Sequence, residues 1–316
     1  MGRENVVDET NMLISAEQLQ AKMDDPELRI LDCRFVLSQP NAGRESYLQE
    51  HIPGAVYADL DVDLAAAVGP GTGRHPLPDA AELASTFGRL GISADTRVVV
   101  YDQASGALAA RAWWLLRWLG HAQVMLLDGG LSRWQASDGP LNKGEVSVAT
   151  VHFDAIPRND WVLATDEILQ RAECDSDSLL IDARDEARYR GEIEPIDKVA
   201  GHIPGAVNLP FQRSLNDDGT WKTRAELKEM WGEVLKENPE AHLSVMCGSG
   251  VTACHLIISA RLAGIAEPRL YVGSWSEWIT DPTRPIATGN ALKEQNRRKI
   301  TRKVRELNAL SAGRKR

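Results

Sequence analysis

Two kinds of apolar pattern alternate along the chain. In the second half, the short runs "LLID" (179–182), "AVNL" (206–209), "LSVM" (243–246) and "RLYV" (269–272) have the length and composition of buried strands. Between the last two lies "GVTACHLIISARLAG" (250–264), whose apolar residues recur at helical spacing before a glycine stop. Strand, helix, strand in that order predicts parallel strands joined by crossover helices, the α/β class.

The pattern then repeats. "RILDCRFV" and "EHIPGAVYADL" (29–60) return as "LLIDARDE" and "GHIPGAVNLPF" (179–211). "RVVVYDQASGALAARAWWLLRWLGHAQVMLLDGGLSRW" (97–134) returns as "LSVMCGSGVTACHLIISARLAGIAEPRLYVGSWSEW" (243–278). A spacing of 144 to 151 residues is too long for a solenoid unit and predicts a duplicated domain. The expected boundaries are 10–138 for the first copy, 139–160 for a turn-rich linker and 161–288 for the second copy, with a tail over 289–316. Trp113, Trp114 and Trp118 share a helical face and are expected in the core or the domain interface.

Composition narrows the class. With 43% hydrophobic and 26% charged residues in 316, the chain reads as globular. No apolar run approaches the roughly 20 residues of a membrane-spanning helix. The start, "MGRENVVDETNMLIS", has no apolar signal core and lacks Ser or Thr at position 6, so a cytoplasmic protein is expected. The net charge of −9 is uneven: residues 291–316 hold ten Lys/Arg against two Glu, leaving −17 on the other 290 residues. An acidic body argues against nucleic-acid binding, and only the basic tail suits an acidic partner. The four cysteines, at 33, 174, 247 and 254, form no CxxC pair and have no histidine at a ligand spacing. They are expected to be free thiols with no metal.

The candidate chemistry lies in "MCGSGVTACH" (246–255), a thiol at the point where a strand turns into a helix. Ligands of open α/β sheets bind beyond the carboxyl ends of the strands. Helix N-termini offer unpaired N–H groups and positive potential, and a loop of small residues shapes them into an anion nest. Gly248 and Gly250 permit that shape. A free cysteine is only about 3% ionised at pH 7, whereas such sites favour the thiolate and would equally hold a persulfide anion. Cys247 is therefore the expected nucleophile, and Cys254, two helical turns on, is expected to pack in the core.

The doubled "HIPGAV", the loop "CGSGVT" and the closing "GSWSEW" resemble the tandem-domain rhodanese family, and the loop resembles its 3-mercaptopyruvate sulfurtransferase branch. The resemblance covers residues 12–285. It implies two rhodanese-like domains, each a parallel sheet flanked by helices, with the first inactive because Asp102 and Gln103 align with the thiol. It implies transfer of sulfur from a small-molecule donor, 3-mercaptopyruvate, through a Cys247 persulfide to a thiol acceptor such as thioredoxin, or to cyanide. No cofactor is implied.

Gly248 and Ser249 are neutral where thiosulfate-using relatives carry cations, so thiosulfate is the alternative donor. Cysteine phosphatase chemistry is disfavoured because Ala253 stands where it needs arginine. The resemblance assigns Gly248, Gly250, Val251 and Thr252 to the substrate loop and Arg188 to the donor's carboxylate. The family's second substrate arginine is missing from "EIEPIDKVAGHIPG" (192–205), where Ile196, Asp197 and Lys198 stand instead. A relay of serine, histidine and aspartate is implied. Ser249 and His51 are the matching residues, either with Glu45 or Glu50 in place of the aspartate or as a dyad with no acid, although His202 recurs at the same point of the second copy. "VGPGTGRHPLP" (68–78) lacks the Lys-Ser/Thr ending of a phosphate loop, and its His75 is a further residue that can face the cleft. A different class, a rhodanese-fold sulfur carrier docking through its basic tail with little turnover of its own, is carried alongside the enzyme.

Overall fold

The computed structural model describes residues 12–174, 178–236 and 238–289, with side chains up to Gln170 in the first stretch. The basic tail from 290, the first eleven residues and the Cys174 thiol, each the subject of an expectation above, lie outside the described residues.

The first copy runs β1 (Leu13–Ile14), α1 (Ala16–Gln20), β2 (Leu28–Asp32), α2 (Ala42–Gln49), β3 (Ala55–Tyr57), α3 (Ala80–Arg89), β4 (Arg97–Tyr101), α4 (Ala109–Trp118), β5 (Val124–Leu127) and α5 (Gly130–Ala136). The second runs β6 (Val162–Leu163), α6 (Thr165–Cys174), β7 (Ser178–Asp182), α7 (Glu186–Arg190), β8 (Val207–Asn208), α8 (Arg224–Leu235), β9 (His242–Met246), α9 (Thr252–Leu262), β10 (Arg269–Tyr271) and α10 (Ser274–Trp278). Each copy is a five-stranded sheet, ordered β1-β5-β4-β2-β3 and β6-β10-β9-β7-β8, and every pairing is parallel. The α/β expectation and the two parallel sheets flanked by helices hold. The edge strands β1 and β6 are two residues long, too short to leave a periodic signal.

Helices α4 and α9 follow the central strand of their copies and pack against each other. Every residue of α4 is buried, and so is α9 from Ala253 to Ala260. Helices apolar on most sides belong inside, and here both copies use that surface to bury one another. The consequence for function is geometric: the N-terminus of α9, with the cysteine loop before it, opens at the boundary between domains. The segment 139–160 carries only the start of a 3₁₀ turn (Asn159–Trp161) as helix and is tied to the first copy. Val151 N–H donates to Gly88 O (3.0 Å), Ile156 N–H to Leu119 O (2.8 Å), and the Phe153 ring lies 5.6 Å from that of Phe87. No described helix is long and apolar enough to cross a membrane.

Candidate active site

Strand β9 ends at Met246, helix α9 starts at Thr252, and the five residues between make the loop. Gly250 has φ of +76°, and a β-carbon there would sit 2.4 Å from Val272 O, so the turn requires glycine. The N-cap, Val251, is buried and offers no capping side chain, and Thr252 is simply the first helical residue. No N–H from Gly248 to Ala253 finds an acceptor among the described residues. The loop therefore keeps a run of donors for an anion.

The first copy shows what such a loop does with an anion. Asp102, in the position of Cys247, accepts hydrogen bonds from Ala104 (3.1 Å), Gly106 (2.9 Å), Leu108 (2.8 Å) and Ala109 N–H (3.2 Å). That nest is filled by its own side chain. In the second copy the residue at the same place is a thiol, 2% exposed.

Cys247 is held from behind. Its N–H donates to Ser274 Oγ (3.1 Å), its carbonyl accepts from Trp275 N–H (3.1 Å), and Gly248 O accepts from Ser276 N–H (2.8 Å). Ser274 has φ of +54°, a left-handed conformation that the first copy gives to Gly130 at +57°. A non-glycine residue there costs about 1–2 kcal/mol. The bond from Cys247 N–H explains what is gained, since it fixes the peptide that carries the thiol.

The partner of Ser249 differs from the expected His51. Ser249 Oγ lies 2.7 Å from His75 Nδ1, and His75 Nε2 lies 3.2 Å from Asp61 Oδ1. With Nε2–H donating to Asp61, Nδ1 is free to accept the serine hydroxyl. His51 is not part of this chain. Its Nδ1 bonds Tyr47 O (2.8 Å), its ring stacks on Tyr47 at 4.4 Å, and its backbone pairs with Asn142. His202 repeats the arrangement with Tyr189 O (2.7 Å), a stacked ring at 3.8 Å and a pairing to Ala287. The "HIP" histidine thus locks a turn in each copy, and neither Glu45 nor Glu50 bonds to His51. Of these residues, the sequence marks His75 only as able to face the cleft, and Asp61 lies in the acidic stretch "DLDVD" (59–63), which carries no local signature.

Arg188 is where the substrate arginine was expected. A β-carbon built on Gly248 would lie 3.6 Å from its Nη2. Its Nε bonds Glu194 Oε1 (3.0 Å) and its Nη2 bonds Asp197 Oδ2 (3.1 Å). A second guanidinium, Arg74 of the first domain, also faces Gly248. A third, Arg111 on α4, is fully buried and donates to Gly250 O (3.2 Å), His75 O (3.4 Å) and Leu64 O (3.4 Å), so it holds the cysteine loop and the relay histidine together from below. Sequence alone missed Arg74 and Arg111 because neither is near the loop in the chain.

Burial, reinforced by Arg111 and Arg74, pushes the His75 pKa down to about 3, so this imidazole is neutral at physiological pH. His255, stacked on Trp221 at 4.0 Å, is pushed down to about 3 by burial. A histidine neutral in the fold but titrating near 6.5 when unfolded binds its proton preferentially in the unfolded state, so its contribution to stability falls as pH drops from about 6.5 toward 3. Replacing His255 by Phe is expected to flatten the dependence of unfolding free energy on pH by about 1.4 kcal/mol per pH unit between about pH 6 and 4. Urea titrations at several pH values measure it, and an unchanged slope would show that His255 is protonated in the fold.

Residues 15–137 and 164–281 each match the rhodanese-like domain family. A Pseudomonas aeruginosa protein named "Probable 3-mercaptopyruvate sulfurtransferase" is 50% identical over 281 residues, 88% of this chain and 98% of its own. SseB of Mycobacterium tuberculosis, provisionally named a thiosulfate sulfurtransferase, is 41% identical over 290 residues, 89% of this chain and 98% of its own. Among solved structures, SseA of Escherichia coli, described as having the "Rhodanese" fold of 3-mercaptopyruvate sulfotransferases, superposes with a TM-score of 0.74 at 33% identity, covering 84% of this chain and 99% of that one.

Proposed function

The chain belongs to the rhodanese-like domain family as a two-domain sulfurtransferase, and from that premise we propose that it takes sulfur from 3-mercaptopyruvate onto Cys247. The Cys247 thiolate attacks the donor's sulfur. The S–S bond forms as the C–S bond breaks, and the electron pair of that bond goes to carbon as the enolate of pyruvate. The proton of the donor thiol ends on that carbon, leaving pyruvate and a Cys247 persulfide anion. Ser249, bonded to neutral His75 and backed by Asp61, is the polar chain beside the loop able to carry this proton. A thiolate acceptor, such as that of a thioredoxin, then attacks the outer sulfur, and Cys247 leaves as the thiolate.

One observation carries this reading: a thiol at the head of unpaired N–H groups, in a loop with no cation of its own, with the Arg188 guanidinium beside the next residue. The N–H groups suit the persulfide anion, and a guanidinium fork suits the donor's single carboxylate. Thiosulfate-using relatives are expected to carry cations within the loop itself, where Gly248 and Ser249 are neutral. The likeness to SseB supports thiosulfate as the second reading.

Intact-mass measurement after incubation with each donor, followed by steady-state assays, tests the choice. One added sulfur atom and a higher kcat/KM are expected with mercaptopyruvate. A clear preference for thiosulfate would overturn the donor assignment while leaving the persulfide step intact.

A further inference from the structure

The stretch where the second substrate arginine was expected holds Ile196, Asp197 and Lys198, and Asp197 leads to a cation that the sequence did not reveal. Its carboxylate, 4% exposed, bridges the domains: Oδ1 accepts from Arg74 Nη1 of the first domain and Oδ2 from Arg188 Nη2 of the second (3.1 Å). Glu194 holds the loop under it, accepting from the N–H groups of Ile196 and Asp197 (both 3.1 Å). Arg74 is fixed from its own side. Its N–H donates to Ser276 Oγ (3.0 Å), and a β-carbon on the preceding Gly73 would sit 2.7 Å from Gly273 O, so that loop lies directly against the second domain.

Both guanidinia then turn toward the cysteine loop. A β-carbon on Gly248 would lie 2.9 Å from Arg74 Nη2 and 3.8 Å from Arg188 Nη1. Neither of these two nitrogens makes a hydrogen bond among the described residues, and Arg74 Nε is buried without a partner there. Two open guanidinium donors flanking the residue after the nucleophile form a site for one carboxylate. Asp197 already satisfies the other side of each fork, and burial pushes its carboxyl pKa up, so it competes with an incoming anion on modest terms.

We propose that Arg74 and Arg188, one from each domain, are the clamp for the donor's carboxylate, and that Asp197 is a resident competitor that weakens it. This rests on Cys247 chemistry as read above, and it names the substrate class: small thiols carrying one carboxylate within reach of the reacting sulfur. In this chain the second cation comes from the opposite domain, and an acidic residue stands where it was sought.

The test pairs two substitutions with opposite expected signs. Arg74→Ala is expected to raise KM for mercaptopyruvate about 10- to 100-fold, the worth of a charge-assisted hydrogen bond, with kcat within about threefold. Arg74→Lys should recover only part of this, since an ammonium is not a fork. Asp197→Asn, which removes the competitor's charge, is expected to lower KM several-fold. Calorimetric binding of pyruvate to the whole protein should move in parallel, and it needs no turnover. If wild-type protein takes no sulfur from mercaptopyruvate yet binds pyruvate through Arg74, the donor reading fails and the clamp stands. Unchanged pyruvate affinity in Arg74→Ala, or looser binding in both Arg74→Ala and Asp197→Asn, would overturn the clamp and leave Arg74–Asp197 as a strut between domains.

Discussion

Cys247→Ser is expected to abolish the persulfide and to cut sulfur transfer by at least ~10⁴-fold, the scale on which an enzyme loses activity with its nucleophile. The serine fits the space, since the loop's shape is set by Gly250 and by the bonds from Ser274, Trp275 and Ser276 to the backbone. It cannot take up sulfur, because an alcohol at this site is not ionised near neutrality. The other described thiols are poor substitutes. Cys254 is fully buried, donates to Gly250 O (3.3 Å), and has its pKa pushed up to about 12 by burial. Cys33 is 2% exposed and lies in the first copy, with burial and then Asp32 raising its pKa well above the ordinary value. Intact-mass measurement after donor treatment decides the matter. One added sulfur surviving in the variant, with normal turnover, would place the carrier elsewhere.

Asp182→Ala is expected to cost about 3–5 kcal/mol of stability in the second domain, the typical consequence of stranding a buried charge. Asp182 ends β7 fully buried, and Arg184, 1% exposed at its side chain, meets it through Nε (3.1 Å to each oxygen) and Nη2 (2.7 Å). The same guanidinium donates to Gly201 O (2.7 Å) and lies 4.7 Å over the Trp275 ring. Without the carboxylate, this positive charge has only a carbonyl, a ring and the more distant Glu194 (3.5 Å) to compensate it. Asp182 pairs in register with Met246, next to Cys247, so the loosened strand end also lies beside the active loop. With two domains the effect is best read as a shift of the second domain's transition, about 10 °C downward in thermal unfolding. Replacing both partners by apolar residues of similar volume should cost less than the single change. A midpoint within about 2 °C of wild type would mean that water reaches Arg184.

The first copy carries the same pair, Asp32 with Arg34 (2.7 Å), and Tyr101 Oη donates to Asp32 (2.6 Å). The pair therefore belongs to the fold, not to the chemistry. Arg184 and Arg34 thus serve the same ion pairing, one in each copy. His51 makes the opposite case: the resemblance assigned it to the relay, and its duplicate His202, stacked in the same way on a tyrosine, identifies it as a turn residue. Duplication is a control written into the chain. What both copies share is structural, and what differs (Cys247 against Asp102, Ser274 against Gly130) marks the site.

The sequence by itself determined the duplication, the α/β class, the parallel strands and the place of the Cys247 thiol at a strand-to-helix turn, because each is written in neighbouring residues. Strand runs and helical periods span a handful of positions, and the loop "CGSGVT" joins strand, thiol and helix start in one stretch. Only the tertiary structure decided which histidine serves Ser249, that Arg111 braces the loop, and that Arg74 stands opposite Arg188. Those partners lie 174, 139 and 123 positions from the residues they bond, Ser249, Gly250 and Asp197. No local preference encodes such pairs. They follow from the burial of α4 against α9, which seats one domain on the other and brings two surface loops of the first over the cysteine of the second.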